Sequence, residues 1–179
     1  MTKQELRQQL KAIRAELSEI SISSEKIARW LVEAPFFKDA KTILLYRSYH
    51  HEVMTDSIWR ACREAGKRTL FPKCISKTEM IAVKAEGETD FQKGMYGIME
   101  PVGNSPFSKE EIDLILVPGI GFDKEKYRIG YGAGYYDRYL SDYRGVTVGL
   151  CYEKLCLETV FPDVYDVKLS YVVTEQGIF

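Results

Sequence analysis

"DLILVPGIGFDKEKYRIGYGAGYYDRYL", residues 113–140, opens on an apolar run, passes through three alternate glycines and closes on a helix-like repeat. Leu114–Val117 is short, continuous and apolar, and Pro118 bounds it, so it reads as a strand buried on both faces. Gly130, Gly132 and Gly134 then leave the backbone nearly bare before "YYDRYL", which reads as a short helix. Strand, glycine turn and helix in that order form the repeating unit of an α/β sheet. Ligands of such sheets collect at the carboxyl ends of the strands, where this turn lies.

Bare glycine N–H groups approach a ligand closely, and a helix starting at Tyr135 adds free N–H groups and the positive end of its dipole. That combination suits a polyanion, with Arg128 able to add a bidentate contact. The spacing is GxGxG, with Tyr135 where the dinucleotide fingerprint needs its third glycine, and there is no GK[ST] ending of a P-loop. A tight turn packing a helix on a sheet is the other reading of the same glycines. Asp137, one turn into the helix, either holds a magnesium ion through one carboxylate or stabilises the helix dipole. Tyr135 and Tyr136 read first as core or rim aromatics.

Outward from this stretch the α/β alternation continues. Thr2 and Glu5 have capping-box spacing, and Leu6, Leu10, Ile13 and Leu17 follow as an apolar helical stripe. A second helix begins among Ser21, Ser23 and Ser24, carries Ile27, Trp30, Leu31 and Ala34 on one face and stops at Pro35. "KTILLYRS" reads as a strand, residues 55–65 as a helix capped by Gly66, and "KRTLFPKC" and "MIAVKAE" as strands. Residues 87–111, rich in Gly, Pro and Ser, read as a long surface loop, a kind of segment more often functional than idle. "GVTVGLCY" and "SYVVTE" add two closing strands.

Lys3, Arg7, Lys11 and Arg14 line one edge of the first helix. A solvated face accounts for Lys11 and Arg14. Lys3 and Arg7 stand where positive charge opposes the helix dipole, so they need another reason, and anionic phosphate supplies one. Glu52 lies in a strand-to-helix loop as a hydrogen-bond acceptor for a polar substrate. The adjacent His50 and His51 lack the further ligands a metal site needs. Asp163 and Asp166 precede the last strand as metal carboxylates or as an exposed acidic turn.

The 179 residues suffice for one well-packed domain, residues 1–179, and are too few for two of ordinary size. Hydrophobic residues at 45%, charged residues at 28% and a formal net charge of −1 give no bulk-charge surface for nucleic acid or membrane. The amino terminus has no continuous apolar core, so a cytoplasmic address is expected. Cys62, Cys74, Cys151 and Cys156 show neither CxxC nor zinc spacing and are expected to be reduced and mostly buried.

The chain resembles the 5-formyltetrahydrofolate cyclo-ligase (methenyltetrahydrofolate synthetase) family from end to end. The resemblance rests on "KQELR" at 3–7, "EVMT" at 52–55, "GKRTLFPK" at 66–73, "GMYGIMEP" at 94–101 and the opening stretch. It implies a three-layer α/β/α sandwich with a largely parallel sheet, similar to the ribose-phosphate isomerase and CoA-transferase group. It also implies ATP- and Mg²⁺-dependent closure of 5-formyltetrahydrofolate to 5,10-methenyltetrahydrofolate with release of ADP and phosphate. In that chemistry the formyl oxygen attacks the γ-phosphate of ATP, nitrogen-10 attacks the resulting iminophosphate, and phosphate leaves.

Carried over by position, Lys3 and Arg7 are ATP contacts, and Arg128, Ile129, Gly130, Tyr131, Gly132, Ala133, Gly134, Tyr135 and Tyr136 form the phosphate loop. Arg128 and Tyr135 would be the catalytic pair. Tyr131 to Tyr135 also face the folate, with Glu52 and Arg47 as further substrate contacts, and Asp137 and Asp166 match the magnesium positions. The implied partners are ATP and a reduced folate; a monomer is expected, with a dimer left open. The chain departs from the family at Lys126, usually glycine, at Tyr165, often histidine or asparagine, and in a Pro162–Asp166 segment one residue short. Two rival readings stand beside this one: a non-catalytic nucleotide or folate binder on the same scaffold, and a sugar-phosphate isomerase suggested by fold alone.

Overall fold

The computed structural model describes residues 2–179. Its first helix, α1 (Lys3–Ala15), begins with the reciprocal cap the sequence predicts: the Thr2 hydroxyl accepts from Glu5 N–H at 3.2 Å, and the Glu5 carboxylate accepts from Thr2 N–H at 2.8 Å. The helix turns Leu6, Leu10 and Arg14 inward, at four-residue steps, and leaves Ile13 exposed. That overturns both the place of Ile13 on the apolar stripe and the solvated Arg14. In α2 (Ile20–Glu33), Ser24, Ile27, Ala28 and Leu31 are buried, whereas Trp30, expected on that face, is about half exposed. Pro35 does more than end α2: it is the first residue of α3 (Pro35–Asp39), a position where its missing N–H costs nothing.

Next come β1 (Thr42–Leu44), α4 (Asp56–Glu64), β2 (Arg68–Cys74) and β3 (Met80–Lys84). Gly66 follows α4 with φ +66°, a conformation only glycine adopts without strain. Residues 87–111 are more than the long surface loop with local turns that the sequence predicts. They contain the hairpin of β4 (Phe91–Lys93) and β5 (Met99–Pro101), and β6 (Pro106–Phe107) pairs with β3. The anchor is Phe91, buried edge-on against Trp59 at 5.7 Å and Phe71 at 4.9 Å. After them follow β7 (Leu114–Val117), β8 (Gly121–Asp123), β9 (Arg128–Ile129), α5 (Tyr135–Leu140), β10 (Val146–Leu150), β11 (Cys156–Leu157), β12 (Tyr171–Thr174) and β13 (Gly177–Ile178).

The fold is a mixed α/β sheet packed with helices. Its eight strands run in the order β13-β12-β10-β7-β1-β2-β3-β6. The five from β12 to β2 are parallel, and the edges are antiparallel. From β1 the chain moves on to β2, and from β7 it moves the other way to β10 and β12, so the winding reverses between β1 and β7. A crevice opens beyond the carboxyl ends of strands at such a reversal.

A second sheet, β11-β8-β9, covers one face of the first. Its Phe122 ring lies over Gly149, where an added Cβ would come within 2.2 Å of the ring. Gly149 is in register with Val172, so the neighbouring Tyr171 points to the other face, where it stacks on Phe36 of α3 at 4.5 Å. The eight-stranded sheet is thereby covered on both sides. Lys126, in the tight turn between β8 and β9, has φ +71°, a left-handed conformation that favours glycine.

Gly149→Ala should lower stability by about 1–3 kcal/mol through overpacking against Phe122. The check is a lower denaturant midpoint at unchanged m-value, with partial recovery when Phe122→Leu is added.

Candidate functional site

A cleft of about 1420 Å³ opens at the winding reversal. Tyr46 and Arg47 beyond β1, Cys74 at the end of β2 and Pro118 beyond β7 form its floor, and α1 lies along its side with Lys3, Arg7, Lys11 and Arg14 facing in. Residues 128–138 complete the wall. The predicted candidates Lys3, Arg7, Arg47, Glu52, Arg128 to Asp137 and Asp166 thus all line one cavity. Lys3 and Arg14 are eleven residues apart on α1, so the helix spans roughly 16 Å of that cavity and gives it two distinguishable ends.

At the Lys3 end the groups are charged. Lys3 Nζ contacts Asp163 at 2.8 Å and also pairs with Asp166. Burial lowers the Lys3 pKa, and the two carboxylates outweigh that and hold it above the usual lysine value. Arg7 Nε donates to Gly130 O at 2.9 Å, which docks α1 on the glycine loop. Gly132 and Gly134 have φ of +103° and +70°, so the backbone here needs glycine whatever it binds. Arg138 ties the loop from behind, through Ala133 O and Thr78 O, both at 2.7 Å.

Arg128 is only 7% exposed, and its Nη2 pairs with Asp137 at 3.0 Å. Its Nε and the Tyr136 hydroxyl are buried with no protein partner. Buried donors are costly to leave unpaired; the Tyr139 hydroxyl, outside the cleft, is a third such group. Asp123 sets the position of this strand: one carboxylate oxygen accepts from Tyr127 N–H at 2.9 Å and the other from Val160 N–H at 3.0 Å.

At the Arg14 end a hydrogen-bonded relay joins two buried charged groups through Tyr131, which is 45% exposed. Arg14 is 4% exposed; Nη2 donates to the Tyr131 hydroxyl at 2.7 Å, Nη1 donates to Gly119 O at 3.3 Å, and the Tyr131 hydroxyl donates to Glu52 Oε1 at 2.8 Å. Glu52, 7% exposed, also accepts from Tyr49 N–H at 2.9 Å through Oε2. Burial pushes the Glu52 carboxyl above the usual range, and the Tyr131 and Tyr49 hydrogen bonds and the Arg14 charge hold it back. His50 and His51 form the turn before Glu52, with φ of +46° and +59°. Sequence reasoning missed Arg14. The signal was its place four residues after Leu10, in the series that buries Leu6 and Leu10.

Two predicted contacts are already engaged within the protein. Arg47 makes a two-point pair with Glu88 at 2.9 and 3.1 Å and lies over the rings of Trp59 and Phe91. The Tyr135 hydroxyl donates to Ser76 O at 2.7 Å and lies 3.3 Å from that of Tyr96. The Tyr96 hydrogen bond raises its pKa. Glu100, outside the predicted set, lines the cleft buried, accepting from Cys74 N–H at 3.1 Å. The Cys74 thiol is pushed up to about 11 by burial and by Glu100. Cys62 and Cys151 are buried, Cys74 and Cys156 partly so, and all four are free. Among the described residues no three His, Cys, Asp or Glu side chains converge as a metal cage.

A sequence profile of the 5-formyltetrahydrofolate cyclo-ligase family matches residues 1–175. The chain is 31% identical to a probable 5-formyltetrahydrofolate cyclo-ligase of Schizosaccharomyces pombe, over 99% of this chain and 97% of that one. It is 34% identical in sequence to the solved 5,10-methenyltetrahydrofolate synthetase of Aquifex aeolicus, with a TM-score of 0.88 over 99% of this chain and 92% of that one. With the solved 5,10-methenyltetrahydrofolate synthetase of Mycoplasma pneumoniae the values are 31%, 0.81, 98% and 99%.

Tyr131→Phe should cost about 1.5–3 kcal/mol of stability at neutral pH by removing a hydrogen bond to the buried Glu52 carboxylate. The variant raises the Glu52 pKa further, so the deficit belongs to the ionised form. It should shrink as pH falls through the raised Glu52 titration and vanish below it, where the carboxyl is protonated in both folded proteins. Denaturation at a series of pH values, with an NMR titration of Glu52, measures both.

Proposed function

The chain belongs to the 5-formyltetrahydrofolate cyclo-ligase family, and from that premise we propose that it catalyses the ATP-dependent closure of 5-formyltetrahydrofolate to 5,10-methenyltetrahydrofolate. The observation that carries this reading is the polarity of one large cleft: cations and bare glycine amides lie at the Lys3 end, and a buried carboxylate lies at the Arg14 end. Its 1420 Å³ exceed the roughly 300–1,000 Å³ of a pocket for one small molecule. That volume suits two substrates held side by side.

The reaction transfers the γ-phosphoryl group of ATP to the formyl oxygen and releases ADP; nitrogen-10 then bonds to the activated carbon, and phosphate departs with that oxygen. Such transfers need positioning and charge stabilisation more than covalent help from side chains. In this reading Lys3, Arg7 and Arg128 meet phosphate oxygens, assisted by the backbone N–H groups of residues 132–134. Glu52 accepts from an N–H of the folate, and the relay from Arg14 through Tyr131 favours its ionised form against the effect of burial and orients it. Tyr135 stands on the border between the two substrates, with its hydroxyl proton committed to Ser76 O.

Mg²⁺ is commonly held by one or two carboxylates together with the phosphates of its substrate, so no all-protein cage is needed. Asp137 and Asp166 fit that pattern. Both offer oxygen donors, and Asp137 Oδ1 lies 3.4 Å from the N–H of Val167, next to Asp166. Bound by them, the ion would supply charge neutralisation at the transferring phosphate.

The purified protein, given ATP, Mg²⁺ and 5-formyltetrahydrofolate, should produce the near-ultraviolet absorbance of the methenyl product. No ATP-dependent rise would overturn the proposal, and ATP binding without ADP release would identify a non-catalytic binder instead. Arg128→Ala should weaken ATP binding by about 1.5–3 kcal/mol, the loss of a hydrogen bond to a charged group; unchanged affinity by calorimetry removes Arg128 from the phosphate site. Gly132→Val should lose nucleotide binding while the protein remains folded, because its φ of +103° is closed to valine and its backbone faces the cleft.

A further inference from the structure

Among the described large apolar side chains the two most exposed are neighbours, Val164 at 90% and Tyr165 at 83%, and both line the cleft. Asp163 and Asp166, on either side of them, pair with Lys3, which sets the two residues at the charged end, against the amino terminus of α1. The Tyr165 ring is not packed against the core, yet the backbone that carries it is fixed. Tyr165 N–H donates to Asp163 Oδ1 at 2.9 Å, Asp163 N–H to Asp166 Oδ2 at 2.8 Å and Asp166 N–H to Asp163 O at 3.2 Å. An aromatic ring on an ordered turn has only two side-chain torsions to immobilise and a large apolar face still to cover, so a flat partner gains contact area there at little entropic cost.

We propose that Tyr165 is the platform on which the adenine base of the nucleotide stacks, with Val164 extending its apolar surface. The inference rests on the reading of this end of the cleft as the nucleotide site and gives the base its place there. The orientation of the nucleotide follows from the reaction. The γ-phosphate must reach the formyl oxygen of a folate whose acceptor, Glu52, lies at the Arg14 end. The triphosphate therefore runs along α1 with its α-phosphate and nucleoside toward Lys3. At that end of the cleft stand Val164 and Tyr165. The neighbouring Asp163 carboxylate, 55% exposed, repels phosphate there, whereas an uncharged base meets no such repulsion.

Stacking needs the ring of Tyr165 and not its hydroxyl, and every base offers a π-face, so the contact supplies affinity for the nucleoside without reading the edge of the base. Tyr165 meets the end of the nucleotide remote from the phosphoryl group in transfer. It is therefore a binding residue and takes no part in the chemical step.

Isothermal titration calorimetry in excess Mg²⁺ tests this with ATP and with inorganic tripolyphosphate, which has the phosphates and no base, on the wild type, Tyr165→Ala and Tyr165→Phe. The wild type should bind ATP more tightly than tripolyphosphate. Tyr165→Ala should weaken ATP binding about five- to thirtyfold, the lower half of what loss of a stacking aromatic costs, and change tripolyphosphate binding less than about twofold. Tyr165→Phe, which keeps the ring, should hold ATP affinity within about twofold of the wild type. A merely structural role of the turn, acting through Lys3 and Asp166, would weaken ATP and tripolyphosphate alike in Tyr165→Ala, and that result overturns the inference. So does ATP affinity that is unchanged in Tyr165→Ala, or that falls as far in Tyr165→Phe; either leaves the nucleotide reading intact. A wild type that binds neither ATP nor tripolyphosphate overturns both.

Discussion

Arg14 lies buried in the seam between the first helix and the glycine loop, and the shape of the cleft follows from how its charge is accommodated. A guanidinium only 4% exposed must be paired or solvated by the protein itself. It meets Gly119 O from the turn after β7 and the Tyr131 hydroxyl from the glycine loop, and Tyr131 passes the contact on to Glu52. One side chain thereby fixes the helix, the loop and the strand-to-helix segment around one cavity. Arg7, two turns nearer the amino terminus, repeats the docking at Gly130 O. The helix becomes a wall of the site because its cations find acceptors there.

The sheet supplies the place for that wall. Winding reverses between β1 and β7, and the segments leaving those strands diverge and open a crevice. The small sheet then holds the glycine loop over the crevice, and its seat depends on a close fit of Phe122 against Gly149. Asp123 fastens the same sheet to Val160 and to the β8–β9 turn. Buried aromatic packing and a buried carboxylate thus set the height of the loop above the strand ends, and its chemistry comes from side chains farther out.

Several parts of this were legible in residue order. Leu114–Val117 announced a strand buried on both faces, and Thr2 with Glu5 announced the helix start. The three glycines announced backbone that side chains would obstruct, and Gly132 and Gly134 do have positive φ. Other parts were hidden because partners distant in sequence decide them. Residues 87–111 look like loop until Phe91 is seen between Trp59 and Phe71, a long-range packing choice. Trp30 looks like core, yet it stays about half exposed. Arg47 and Tyr135 look free to meet a ligand, yet Glu88 and Ser76 already engage them.

Local chemistry therefore suffices where a residue's effect is confined to its own backbone or its nearest turns, as for caps, glycines and continuous apolar strands. By itself the sequence determined the α/β alternation, the position of the polyanion-shaped loop after a buried strand and, through colinear motifs, the family. Tertiary structure alone decided that Arg14 is inside and Ile13 outside, and that the cleft has two chemically different ends. It also decided that Lys3 and Arg128 stand paired with Asp163, Asp166 and Asp137. The reason is electrostatic: the state of a charge depends on what surrounds it in space, and those surroundings are assembled only when the chain closes.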